Sequence, residues 1–126
     1  MGYTTQNLGT VQTWTPTYTG FSTDPSGLTG DYFIIGKWCF CTIVHTSDGT
    51  SNATTLTFTL PVAAANTATQ IIGCRVKDNG TIQTAPGMMR TQVNSNVCDV
   101  FKTLAAGAFT NSGNKNFSGN FFYETV

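Results

Sequence analysis

Apolar and polar residues alternate with a period of two over much of this chain, and clusters of Gly, Pro, Asn and Asp interrupt the alternation at short intervals. A period of two sends successive side chains to opposite faces of a pleated strand. Residues 54–60 show it most plainly: Leu56, Phe58 and Leu60 point one way and the threonines between them the other, until Pro61 ends the run. Segments 11–14, 31–35, 37–46, 70–77, 81–84, 88–93, 97–104 and 117–126 read as strands on the same grounds, making about eight or nine in all. Gly36 is expected to bend or bulge the chain between 31–35 and 37–46. Ser47-Asp48-Gly49 is expected to turn it, and Asp78-Asn79-Gly80 to form a tight hairpin, because Asn-Gly accepts the positive φ that such turns require. Segment 37–46 is apolar on both faces, with Trp38, Phe40, Thr42 and Val44 on one and Cys39, Cys41, Ile43 and His45 on the other. It is expected to be covered on both sides, by a second layer or by another subunit. Residues 16–30 hold too few regularly spaced apolar positions for an element and are expected to form a long surface loop. Residues 62–65 are a helical scrap too short to be stable alone, and 105–116 a polar connection.

Many short strands with Gly- and Asn-rich turns predict one all-β domain over residues 1–126, an antiparallel β-sandwich with Greek-key or jelly-roll connections; a closed barrel is the alternative. Composition agrees, with 24 Thr, 10 Asn, 7 Ser, 13 Gly and one Glu, a set that favours pleated surfaces and turns over helices. Six cations balance six acids and together make only 10% of the chain. No basic stripe is left to neutralise phosphates, so nucleic-acid binding is not expected. No apolar run approaches the roughly 20 residues of a membrane span. The start, Met1-Gly2-Tyr3-Thr4-Thr5, lacks the basic and apolar regions of a signal peptide, and Gln6 stands where a myristoylation site needs Ser or Thr.

Candidate chemistry is sparse. Cys39, Cys41, Cys74 and Cys98 do not form two close pairs, so a structural zinc site is not expected, and buried free thiols are the expected state. His45 is the only histidine, so any nucleophilic triad must use it; Cys39 and Cys41 share its strand face but lie too far along the strand for a nucleophile–base hydrogen bond. A local hydrogen bond near Asp48 is the expected role. Three of the six acids sit in turn-like contexts, where Asp caps backbone groups, and no phosphate-cradling glycine motif is present. No catalytic residue, metal or cofactor is therefore expected. Trp14, Tyr18 and Phe21 flank the first loop, where exposed aromatic faces could stack on sugar rings.

Several segments together resemble a known group. Trp14-Thr15-Pro16 within residues 14–21, Ile35-Gly36-Lys37 within residues 32–44, Thr50-Ser51-Asn52-Ala53-Thr54 leading to Leu60-Pro61, and Phe121-Phe122-Tyr123 within residues 117–124 resemble β-sandwich modules of tailed-bacteriophage structural proteins. Such modules close tail fibres, head fibres or receptor-binding proteins. The resemblance implies a homotrimeric, jelly-roll-like tip domain in the virion, made in the bacterial host cytoplasm. Its partners would be other virion proteins and a host surface glycan or protein. Two alternatives remain at this point: a structural trimerisation or capsid-decoration module without a receptor site, and a small glycan depolymerase or esterase. Loop placement nominates Trp14, Tyr18 and Asp24 in the first loop, His45, Asp48 and Asn52 around the central turn, and Asn111, Asn114 and Asn116 in the late connection as ligand-binding residues.

Overall fold

The structure, a computed structural model, describes residues 10–65 and 69–126. The readings at Met1–Gln6 lie outside them. The described residues form eleven strands and no helix. They are β1 (Gln12–Thr13), β2 (Tyr18–Thr19), β3 (Ser26–Ile35), β4 (Trp38–Ser47), β5 (Gly49–Thr50), β6 (Leu56–Thr59), β7 (Ile71–Asp78), β8 (Thr81–Ile82), β9 (Gly87–Thr91), β10 (Val97–Phe101) and β11 (Asn114–Glu124). All pairings are antiparallel, and hydrogen bonding runs through the order β1-β3-β4-β11-β7-β9-β10-β6-β2. The all-β antiparallel fold is thus as expected.

Only residues 14–17 separate β1 from β2, yet these two strands lie at opposite ends of that order. The sheet must therefore curl until its edges meet. Trp14 joins them: its backbone N–H donates to the Gly30 carbonyl of β3 at 2.9 Å, and its indole N–H donates to the Thr59 carbonyl of β6 at 2.9 Å. Thr17 and Thr59 exchange two further bonds. Inside the curl lie buried residues of β4, β11 and β6, including Cys39, Cys41 and Ile43 of β4, Phe117, Phe121 and Tyr123 of β11, and Leu56 and Phe58 of β6. All four cysteines are buried free thiols.

Residues 16–30 are not one long loop. Tyr18–Thr19 pairs with β6, and β3 begins at Ser26, with Ser26 opposite Ser47 and Leu28 opposite His45. The glycines that read as breakers serve close packing: a side chain at Gly30 would collide with the Trp14 backbone that lies over it. Pro16 and Pro25 are buried rather than at the surface of a loop. Gly36, at φ +59°, is not a bulge but the first central residue of the two-residue turn joining β3 to β4. Asn79 (φ +46°) and Gly80 (φ +78°) make the expected hairpin between β7 and β8.

Among the described residues, no layer covers the outer face of β4. Trp38 and Val44 are each 38% exposed, and Phe122 beside them is 57% exposed.

Candidate functional site

The central turn and the late connection meet where β4 parts from β11. Pairing between these strands extends from Glu124 only as far as Gly119, after which β11 pairs with β7 through Ser118, Phe117 and Asn116. The gap is a cleft of about 240 Å³ lined by His45, Asp48, Arg75, Lys77, Asn116 and Ser118, among others. Four of the nine nominated residues, Tyr18, His45, Asp48 and Asn116, join here in one hydrogen-bond network.

His45 is buried, and two acceptors face its Nδ1: Asn116 Oδ1 and the Phe117 carbonyl, each at 3.1 Å. Nδ1 therefore carries the proton, and Nε2 accepts from the Tyr18 hydroxyl at 2.6 Å. Burial lowers the His45 pKa against the raising effect of those two bonds. Tyr18 is pushed up to about 12, chiefly by burial and further by the charge of Asp24, so it remains a donor. Asp48 takes the Lys77 ammonium at 2.7 Å and the Asn116 amide at 3.1 Å. The bond from Lys77 is the main cause holding its carboxyl below the usual range.

The expected local bond of His45 to its own turn is replaced by partners far along the chain, because curling brings Tyr18 and β11 onto the strand end. Both ring nitrogens are committed. No serine or cysteine is bonded to the imidazole among the described residues.

Trp14 and Tyr18 do not stand free beside an open loop. Both, with Phe21, are half-buried against the core, and their polar hydrogens are used in closing the sheet and in holding His45. Asp24, Asn52 and Asn114 are exposed near one another's strands, since Thr23 bridges to Thr50 and Thr50 lies opposite Asn114. Asn111 is exposed on the connection before β11.

Two cationic residues of the cleft, Arg75 and Lys77, were absent from the nominated set. Their signal is the alternation Arg75-Val76-Lys77, which puts two of the chain's six cations on one strand face. The cleft continues into a shallow groove of about 600 Å³ over β7 and β11, lined by Gly73, Gln83, Thr84 and Asn120, with Val44, Arg75 and Ser118 common to both.

Farther along the same outer face, Phe33, Phe40 and Phe122 lie side by side in register across β3, β4 and β11. Phe33 stacks on Phe40 with centroids 5.1 Å apart, Phe40 meets Phe122 at 5.6 Å, and Trp38 presents an edge to Phe122 at 5.9 Å. The Lys37–Glu124 ion pair, 2.8 Å, borders this apolar patch. No protein-family model and no curated protein matches the chain.

The network makes a pH prediction. Unfolded chains protonate His45 near 6.5, whereas the folded protein does so only at lower pH. The unfolded state then binds more protons, so stability falls as pH drops through 6.5. The losses from Asp48 and Asp78 begin only below their ordinary 3.8. For Asp78, burial pushes the pKa up but bonds from Lys102 and Thr110 outweigh it. Urea unfolding at pH 7 and pH 5 is expected to show lower stability at pH 5, with the difference removed in His45→Gln. An equal slope in both proteins would show that His45 is not held neutral.

Proposed function

We propose that this protein is a non-enzymatic phage virion module, of fibre or receptor-binding type, whose copies associate as trimers and adsorb to a host-cell surface structure. The observation that carries the reading is the aromatic row Phe33–Phe40–Phe122 with Trp38 on the outside of the sheet, which no layer covers among the described residues and where Trp38 and Phe122 are exposed. Monomers seldom leave large contiguous apolar patches in water, and aromatic residues are enriched where subunits meet. A second copy is the fitting occupant. The chain has no net charge, and the charges at the patch border, Lys37 and Glu124, neutralise each other, so identical faces approach without repulsion. The three-fold state and the virion setting come from the resemblance to phage modules. A non-catalytic role is supported by His45, the only histidine, whose two nitrogens are both held by neighbours.

Light scattering coupled to size exclusion is expected to give three times the 13.5 kDa chain mass. Phe122→Lys is expected to yield a folded monomer, because the ring is already 57% exposed within one chain, while a charge buried between copies is costly. A wild-type monomer at micromolar concentration would overturn the assembly reading.

A further inference from the structure

We infer that the groove over β4, β11 and β7 binds a polysaccharide bearing carboxylate groups, with Arg75 as its anchor. The inference rests on the adsorption reading and names the ligand class; it does not depend on self-association. Four of the six cations lie in ion pairs, Lys37 with Glu124, Lys77 with Asp48, Arg90 with Asp99 and Lys102 with Asp78. Lys115 is fully buried against backbone carbonyls. Arg75 is exposed, and among the described residues its guanidinium makes neither an ion pair nor a hydrogen bond. In so charge-poor a chain, that free fork sits at the junction of the cleft and the groove, directly across from Ser118. Its planar geometry suits a carboxylate in two parallel bonds.

The Arg75 charge also acts on Asp48, but the direct partner of that carboxylate is Lys77 at 2.7 Å. With Arg75 and Lys77 against Asp48, the cleft retains one net positive charge in a neutral chain. One such charge is too little for a nucleic-acid backbone, where affinity grows with the number of phosphates neutralised. Between apolar side chains that include Val44 and Pro86 stand hydroxyl and amide groups, Asn116 and Ser118 in the cleft and Gln83, Thr84 and Asn120 in the groove. These groups match the vicinal hydroxyls of a sugar chain, and the groove offers no deep apolar pocket for the side chains of a peptide. Gly73 keeps the groove open, since no atom lies within 4 Å of where its Cβ would stand.

The test uses the full chain, titrated by calorimetry and amide NMR with oligogalacturonate, oligomannuronate and sialyllactose as carboxylate probes, with maltohexaose as neutral control and a polyglutamate peptide as acidic control. At least one carboxylate sugar is expected to bind and to shift the amides of Arg75, Asn116, Ser118 and Asn120, while maltohexaose binds at least about tenfold more weakly. Arg75→Gln is expected to weaken binding by at least about tenfold, the worth of one charge-assisted pair. Gly73→Tyr is expected to abolish it by filling the groove, at a strand position that accepts an aromatic residue. Both variants are expected to keep the wild-type melting temperature, since the Arg75 side chain makes no hydrogen bond or ion pair among the described residues and the Gly73 Cβ position is open. Binding of none of the three sugars, equal affinity for maltohexaose, preference for polyglutamate, or unaltered binding in both variants overturns the inference. Loss of the trimer with sugar binding intact would sink only the assembly reading. Binding of intact host cells without binding of any carboxylate sugar would sink only the ligand class.

Discussion

Replacing Phe117 by alanine is expected to lower the free energy of unfolding by about 3–5 kcal/mol, the usual cost of emptying a buried aromatic site. The ring is 1% exposed and stacks on Phe58 with centroids 5.2 Å apart. Its remaining faces meet the edges of Tyr18 at 6.3 Å and His45 at 5.2 Å. Removing it therefore opens a void between opposite sides of the curled sheet and loosens the rings behind the polar cleft. A domain of this kind has total stability of roughly 5–15 kcal/mol, so the loss consumes a large fraction of it. The melting temperature is expected to drop by about 10–20 °C. Phe117→Leu retains most of the volume and is expected to cost well under half as much. The exposed Ile71→Ala serves as control and is expected to change stability by no more than about 0.5 kcal/mol. Urea unfolding followed by tryptophan fluorescence measures all three. A Phe117→Ala loss below about 1 kcal/mol would contradict the packing described.

Lys115→Ala is expected to be comparably damaging, at about 3–5 kcal/mol, through a cavity combined with lost hydrogen bonds. Lys115 is 0% exposed, and its Nζ donates to the carbonyls of Ser51 at 3.3 Å, Ala53 at 3.2 Å and Ser112 at 3.3 Å. The ammonium thus ties the segment after β5 to the segment before β11. Burial lowers its pKa, and the charge of Asp78 offsets part of that. Truncation to alanine leaves a cavity and removes donors from all three carbonyls. Lys115→Met keeps the volume and removes only the charge-assisted bonds, so its expected cost is smaller, about 1–3 kcal/mol. The difference between the two variants separates filling from hydrogen bonding. Methionine as stable as lysine would show that the cost of burying the ammonium cancels its bonds, leaving only its volume as stabilising.

Much of the strand framework was legible along the chain, because a half-buried strand imposes its period of two directly on residue order. The segment 54–60 and the Asp78-Asn79-Gly80 turn are read without knowledge of any neighbour. Ser26–Ile35 was half missed. Its first half is rich in Gly and Ser, and it is a strand only because Val44 and His45 lie opposite Thr29 and Leu28. Similarly, Tyr18–Thr19 is a strand through β6 and Gly49–Thr50 through β11 and a bridge to Thr23, and two-residue strands carry no period of their own.

The candidate site was legible in part. Tyr18, His45, Asp48 and Asn116 were nominated from their separate loops, and the structure gathers these four. Trp14 was nominated as well, but its indole N–H is spent on Thr59 at the far edge of the sheet. Arg75 stood out only after the other cations had found their partners, and an ion pair between Lys77 and Asp48 has no signature in residue order.

Residue order and composition set the all-β character, the main strands and turns, the charge poverty and the two-faced apolarity of β4, since each follows from local period, turn chemistry or composition. Only the folded chain decides that the sheet closes through Trp14, that Lys115 is buried and, among the described residues, that no layer covers the outer aromatic face and Arg75 makes no ion pair or hydrogen bond. These are relations between residues tens of positions apart. Local preferences constrain one residue's φ and ψ and the side of the strand it faces, but which distant edge it meets depends on how the whole sheet curls around its core.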